Sequence, residues 1–201
     1  MIRICLSGID GSGKSTQVEL LREFFDKRKI EYKYIHLFSR SSSIVSRLHE
    51  KVFFEFLIKK IRSLKNSQLG VFLKIFLRIA NAVLDSWATW ISDKFNDRKQ
   101  KRILLYDRYF YDVLAVLIFD FPKLKNFILF FIRIMPRPDV IIIFKSNPET
   151  VVRRKGEHNL RQAKIYCAIY EDIAKKIKVD PIDSEESIGD IHQKIKNRIN
   201  F

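Results

Sequence analysis

Apolar residues recur along this chain with two periods, and the switches between them mark its elements. Residues 2–6, Ile2-Arg3-Ile4-Cys5-Leu6, read as a strand that runs directly into a glycine-rich turn. Residues 17–28 follow with Val18, Leu21, Phe24 and Phe25 on one face, the spacing of an amphipathic helix. In residues 31–37 Tyr32, Tyr34 and His36 alternate with Lys33 and Ile35, as in a half-buried strand. Residues 44–96 read as helices, interrupted near 66–70. Within them, 52–64 mixes aromatic and aliphatic residues with Lys59, Lys60 and Arg62, and 71–84 is apolar almost all round, with Lys74 and Arg78 on one stripe. A helix of the second kind is expected in the core and at a homodimer interface, with a membrane-surface helix as the alternative.

The second half continues the alternation. Residues 103–106 have strand character and end in Asp107, while 109–119 and 122–135 read as helices before Pro136-Arg137-Pro138 breaks the chain. Val140-Ile141-Ile142-Ile143 within 139–144 is a continuous apolar run, as buried parallel strands are. Pro148 opens a short helix that ends in Arg153-Arg154-Lys155-Gly156. A helix over 160–176, a short strand over 179–182 and a closing helix over 184–199 complete the chain, the last with Ile188, Ile191, Ile195 and Ile199 as its stripe. Strands alternating with helices predict an α/β fold.

Composition narrows this picture. At 201 residues, 47% hydrophobic and 30% charged, the chain is expected to form one globular domain over 1–201, with a core over 1–38 and 101–201 and a helical region over 41–100. No apolar run reaches the roughly 18 residues that span a bilayer, and Met1 leads straight into the first strand, so a cytoplasmic protein is expected. Cys5 and Cys167 are isolated, and His36, His49, His158 and His192 are scattered, so a metal site built from protein ligands alone is not expected. The net charge is +15, and residues 51–102 hold 12 basic against 4 acidic side chains. That excess suits a solvated basic face, or attraction to nucleic acid or peripheral contact with an anionic membrane, with no specific nucleic-acid partner expected.

The chemistry begins in the glycine-rich turn. Gly8-Ile9-Asp10-Gly11-Ser12-Gly13-Lys14-Ser15, followed by Thr16, fits the pattern of a loop whose backbone N–H groups cradle phosphates. Lys14 would neutralise the β- and γ-phosphates of a nucleotide, and the Ser15 hydroxyl would hold Mg²⁺. Asp107, at the end of a strand, is the acid expected to reach that ion, partly through water, and Arg108 beside it suits a bidentate phosphate contact. Arg40, in the loop after the second strand, is a further candidate anion contact. The cations before Gly156 suit a mobile cap that delivers an arginine to a transferring phosphate, with Arg161 and Lys164 extending the cluster.

Taken together these motifs resemble the thymidylate kinase family of P-loop nucleoside monophosphate kinases. The phosphate loop with Asp10 and Gln17, the Asp107-Arg108-Tyr109 triplet, the Pro148 to Arg154 spacing, and the Tyr166 to Ala174 and Asp183 regions carry the likeness. It implies a three-layer P-loop kinase fold, with a five-stranded parallel sheet covered by helices on both faces and a short lid over about 153–162. It further implies that Gly8 to Thr16 bind ATP, that Asp10, Arg40, Arg108, Tyr109 and Asp112 face the acceptor, and that Arg153, Arg154 and Arg161 serve the lid. Lys14, Asp10, Asp107, Arg108 and Arg154 would carry catalysis, Ser15 and Asp107 would hold Mg²⁺, and the enzyme would be a homodimer that phosphorylates dTMP. Four positions depart from the family pattern: Ser39-Arg40-Ser41-Ser42, Leu84-Asp85-Ser86-Trp87, Asp112 in place of a serine, and Val116-Leu117 in place of a tyrosine-glutamine pair. They leave open an acceptor that is another nucleotide, a sugar phosphate or a lipid-linked phosphate. A protein that uses ATP as a switch at a membrane or nucleic acid is the remaining alternative.

Overall fold

The computed structural model describes residues 1–36, 75–80, 82–84, 86–88, 90–91 and 102–201. Five strands, β1 (Ile2–Ser7), β2 (Tyr32–His36), β3 (Ile103–Asp107), β4 (Val140–Lys145) and β5 (Ile182–Asp183), form one sheet in the order β2-β3-β1-β4-β5. Every pairing is parallel, with Leu6 opposite both Asp107 and Ile142. Among the described residues, the helices with both ends defined are α1 (Lys14–Lys27), α2 (Phe110–Asp120), α3 (Lys125–Phe130), α4 (Pro148–Lys155), α5 (Leu160–Ile177) and α6 (Ile188–Ile199).

Alternation along the strands divides the core in two. Ile4, Leu6, Ile103, Leu105, Ile142 and Phe144 face α1 and α6, where they meet Val18, Leu21, Phe25, Ile191, Ile195 and Ile199. Cys5, Leu104, Tyr106, Ile141 and Ile143 face the other way, toward α2 and α5. Each fully buried isoleucine or leucine contributes about 1.5–3 kcal/mol by leaving water, so a sheet lined on both faces holds its strand ends rigidly. The result is the α/β architecture with helices on both sides of a parallel sheet. β1 lies at its centre, and the chain crosses it between β3 and β4. That reversal opens a crevice at the carboxyl ends of the strands.

Several elements differ from their predicted bounds for identifiable reasons. The expected helix over 122–135 is instead a 3₁₀ turn, the six residues of α3 and a second 3₁₀ turn. Met135, which precedes Pro136, is extended at ψ 143°, as a residue before proline prefers, so the helix cannot run into the break. The closing helix starts at Ile188, not 184, because the Ser187 hydroxyl accepts from the Asp190 N–H and caps it there. Ile188 is therefore exposed, and Ile191, Ile195 and Ile199 alone face the core. The last strand is displaced to Ile182–Asp183.

Of the apolar segment 71–84, residues 75–80 and 82–84 are described and helical. Ile75, Ile79 and Ala82 bury against the α2–α5 side of the core, whereas Phe76 and Leu84 are exposed. Arg78 pairs with Asp120 at 3.4 Å. Arg40, Lys59, Lys60, Arg62, Lys74 and the segment 52–64 lie outside the described residues. Among the described residues no helix is long and apolar enough to cross a membrane.

Candidate active site

The phosphate loop leaves the end of β1 at the carboxyl edge of the sheet and closes into α1. Gly13, at φ +87°, is the N-cap of that helix, a left-handed turn that a Cβ would strain. It brings no side-chain cap, and the first turn of α1 carries no acidic residue, so the helix terminus is left to its own N–H groups and positive dipole end. Gly11, at φ +89°, lies so close to α4 that a Cβ there would sit 3.1 Å from the Val151 carbonyl oxygen. Ser15 and Thr16 are exposed, whereas Ile9, Ser12 and Lys14 are buried. The buried Ser12 hydroxyl has no hydrogen-bond partner among the described residues, an orphan polar atom within a loop built for an anion.

Lys14 folds back over this loop. Its Nζ donates to the carbonyls of Gly8 at 2.5 Å and Ile9 at 2.8 Å and stands 3.9 Å from Asp10 Oδ1. Burial lowers its pKa, and the carboxylates of Asp112 and Asp10 oppose that shift. Asp10 is the centre of a cationic ring: the same Oδ1 accepts from Arg108 Nη2 at 2.5 Å and lies 3.8 Å from Lys155 Nζ. Three cations from three elements thus converge on one carboxylate at the mouth of the loop.

Arg108 reaches this ring from an unusual backbone position. It lies in the left-handed region at φ +69°, directly after β3, and its N–H donates to the Leu6 carbonyl at 3.1 Å. A non-glycine residue held there costs about 1–2 kcal/mol. Strain of this kind, maintained by the surrounding structure, is a feature of functional corners. Asp107 just before it is buried; its Oδ2 accepts from the Tyr34 hydroxyl at 2.8 Å and faces His36 Nδ1 at 3.3 Å. Burial, followed by the bond to Asp107, pushes the Tyr34 phenol up to about 12. Ser15 and Asp107 offer only oxygen donors, which suits Mg²⁺, and no cluster of three metal-ligating side chains occurs among the described residues.

Three expected residues sit elsewhere than the sequence suggests. Arg154 turns its guanidinium onto the Ser184 carbonyl, at 3.3 and 3.4 Å, and lines a cavity of about 180 Å³ with Gly13, Thr16, Gln17 and Glu186. The Tyr109 hydroxyl is buried and donates to the Pro136 carbonyl, and its ring packs in the core. Asp112 is buried too, with both carboxylate oxygens engaged by protein donors beneath the loop, because it caps α2 from inside. Arg153 and Arg161 are exposed, on either side of the turn formed by residues 156–159.

Lys155 is the functional candidate that the motifs did not single out. It lies one helical turn after Val151, whose backbone packs on Gly11, so it projects toward the loop while Arg154 projects away. The apolar position four residues earlier was the available signal.

A profile described as Thymidylate kinase matches residues 6–195 of this sequence. No curated protein matches the chain. The match spans the last two residues of β1, the phosphate loop, strands β2 to β5 and the cationic ring, and on that basis the chain belongs to the thymidylate kinase family.

Proposed function

We propose that this protein is an ATP-dependent kinase of a small phosphorylated acceptor, with dTMP as the acceptor to which its family points, giving dTDP and ADP in cytoplasmic nucleotide biosynthesis. The observation that carries the proposal is the convergence of Lys14, Arg108 and Lys155 on Asp10 at the mouth of an uncapped helix terminus. Cations held at one point by a single carboxylate are ready to exchange it for phosphate oxygens.

The donor's phosphates would lie along the N–H groups from Gly11 to Thr16, with its nucleoside toward the cavity walled by Thr16, Gln17, Arg154 and Glu186. Lys14 would exchange the carbonyls of Gly8 and Ile9 for β- and γ-phosphate oxygens, which compete as charged acceptors. An acceptor phosphate gripped by Arg108 presents an oxygen in line with the γ-phosphorus. That oxygen–phosphorus bond forms as the bond from the γ-phosphorus to the bridging oxygen breaks, and ADP leaves. Lys155 neutralises charge on the transferring group, and Asp10 holds Arg108 and Lys155 in register until the phosphates arrive. Mg²⁺, held through Ser15 and Asp107, would supply charge neutralisation at the β- and γ-oxygens.

A second acceptor class is favoured by α2. Where the family carries a tyrosine-glutamine pair, Leu117 is buried in the core and Val116 is exposed, and neither can hydrogen-bond a base. A pocket without such groups discriminates weakly. The test is ADP release from Mg²⁺-ATP with a panel of acceptors: dTMP, the other nucleoside monophosphates, sugar phosphates and a lipid-linked phosphate. Turnover that requires dTMP supports the first assignment, and turnover with another member reassigns the acceptor. ATP binding with no turnover on any acceptor would mark the chain as a nucleotide switch and overturn the kinase proposal.

A further inference from the structure

Asp112 is 5% exposed and accepts four hydrogen bonds. Its Oδ2 receives the Ser7 hydroxyl at 2.7 Å and the Tyr109 N–H at 2.9 Å, and its Oδ1 receives the Tyr170 hydroxyl at 2.8 Å and the Gly8 N–H at 3.4 Å. These donors belong to three pieces of the site. Ser7 and Gly8 begin the phosphate loop, Tyr109 follows the strained Arg108 corner, and Tyr170 lies on α5, the helix that leaves the lid turn. No oxygen of Asp112 is presented to an acceptor.

We infer that Asp112 is a positioning residue for phosphoryl transfer: its carboxylate fixes the phosphate loop and the Arg108 corner relative to each other, and through Tyr170 ties both to the lid helix. The inference rests on the kinase proposal for its kinetic consequences, but its geometry stands apart from it. The pattern of bonds explains why a carboxylate is required. Each oxygen takes one backbone N–H, and a backbone N–H cannot turn round to accept. A neutral amide of the same shape must point its NH₂ at one of these two N–H groups, whichever way it is flipped. One of the two backbone bonds, from Gly8 or from Tyr109, is then lost. A hydroxyl at this position would be too short to serve both.

Tyr170 responds to the same charge. Burial first, then the Asp112 carboxylate and its hydrogen bond, hold the phenol well above its ordinary pKa, so it remains a donor throughout the physiological range.

The experiment compares full-length wild type, Asp112→Asn, Tyr170→Phe, Arg108→Ala and the Asp112→Asn/Arg108→Ala double variant, by kcat, KM for ATP and for the acceptor, and melting temperature. Misplacement of reacting groups by an ångström costs about 10²-fold in rate. Asp112→Asn should therefore lower kcat about 10–100-fold with the KM for ATP changed less than about threefold. In the Arg108→Ala background it should cost markedly less, because one of the pieces it positions is already disarmed. Tyr170→Phe should lower kcat by a smaller factor. A loss that multiplies through the double variant, or one that follows melting temperature with kcat intact, overturns the proposal by making Asp112 merely structural.

Amide hydrogen exchange provides the arm that needs no turnover. In Asp112→Asn either the Gly8 or the Tyr109 amide should lose at least about tenfold in protection while the β4 amides keep theirs. Retained protection at both overturns the inference even if the wild type transfers phosphate to nothing, an outcome that would separately end the kinase proposal. Should Asp112→Asn fail to fold, unchanged kcat in a fully folded Tyr170→Phe overturns the link to the lid helix.

Discussion

Arg108 allows a stability measurement to be set against a kinetic one at a single position. It lies at φ +69° and pairs with Asp10. Replacement by Ala and by Gly removes the same guanidinium and the same ion pair, so that loss cancels between the two variants. They differ in backbone terms alone. Alanine keeps a Cβ in the left-handed region, at about 1–2 kcal/mol, and glycine removes that cost but loses about 0.4–1 kcal/mol through the freedom it adds to the unfolded chain. Glycine should therefore be the more stable variant by about 0.5–1 kcal/mol, or about 1–4 °C in melting temperature for a chain of this size. Both variants should lose turnover by at least about 10³-fold, as expected of an arginine that stabilises phosphoryl transfer. Thermal denaturation followed by circular dichroism measures the first quantity and coupled ADP release the second. Alanine as stable as glycine would show that the corner holds no strain, and turnover within tenfold of wild type in either variant would remove Arg108 from the reacting phosphates.

Three further outcomes follow from the same geometry. Lys155→Met should cut turnover by about 10²-fold or more and leave ATP affinity within about threefold, whereas Arg154→Met should act mainly on ATP affinity, since Arg154 lines the cavity beside the loop; equal effects on both quantities would refute the division. Gly11→Ala, with its Cβ 3.1 Å from the Val151 carbonyl and φ at +89°, should lower stability by about 1–3 kcal/mol, read as a fall in melting temperature, and a variant as stable as wild type would contradict the packing of α4 on the loop. The Cys167 thiol, raised to about 11 by burial and then by the Glu171 carboxylate, holds about 100-fold less thiolate at pH 8 than an ordinary thiol. Its higher nucleophilicity recovers about tenfold, so iodoacetamide should label it about tenfold more slowly than a free cysteine, with the rate still climbing up to about pH 11; site-resolved mass spectrometry reads this, and labelling at the free rate would contradict the burial.

The parts of this fold that were legible in the sequence are those in which one local signal decides the outcome. β1, the loop and α1 follow from an apolar strand, a glycine pattern and a helical stripe, and β4 from a continuous apolar run. The triplet Asp107-Arg108-Tyr109 announces a strand end, but it conceals that its first residue turns to Tyr34 and His36 and its last into the core. Asp112 shows the limit most clearly. An acid at the third position of a helix has the same local pattern whether it reaches a ligand or caps the helix from within, and only the placement of Ser7 and Tyr170 decides between them. Likewise Arg153, Arg154 and Lys155 each lie about 100° from the next around α4. Which of them meets the loop depends on the face that Val151 buries, a tertiary fact that consecutive cations do not encode.

The measurement that bears most directly on the whole account is transfer of label from [γ-³²P]ATP to dTMP by the purified full-length chain, with products separated by chromatography. Label appearing in dTDP in a Mg²⁺-dependent manner, and lost in a Lys14→Ala variant that still folds and melts cooperatively, is the result the account predicts. Label that stays in ATP or appears only as free phosphate, with dTMP and with every other phosphorylated acceptor, would contradict it.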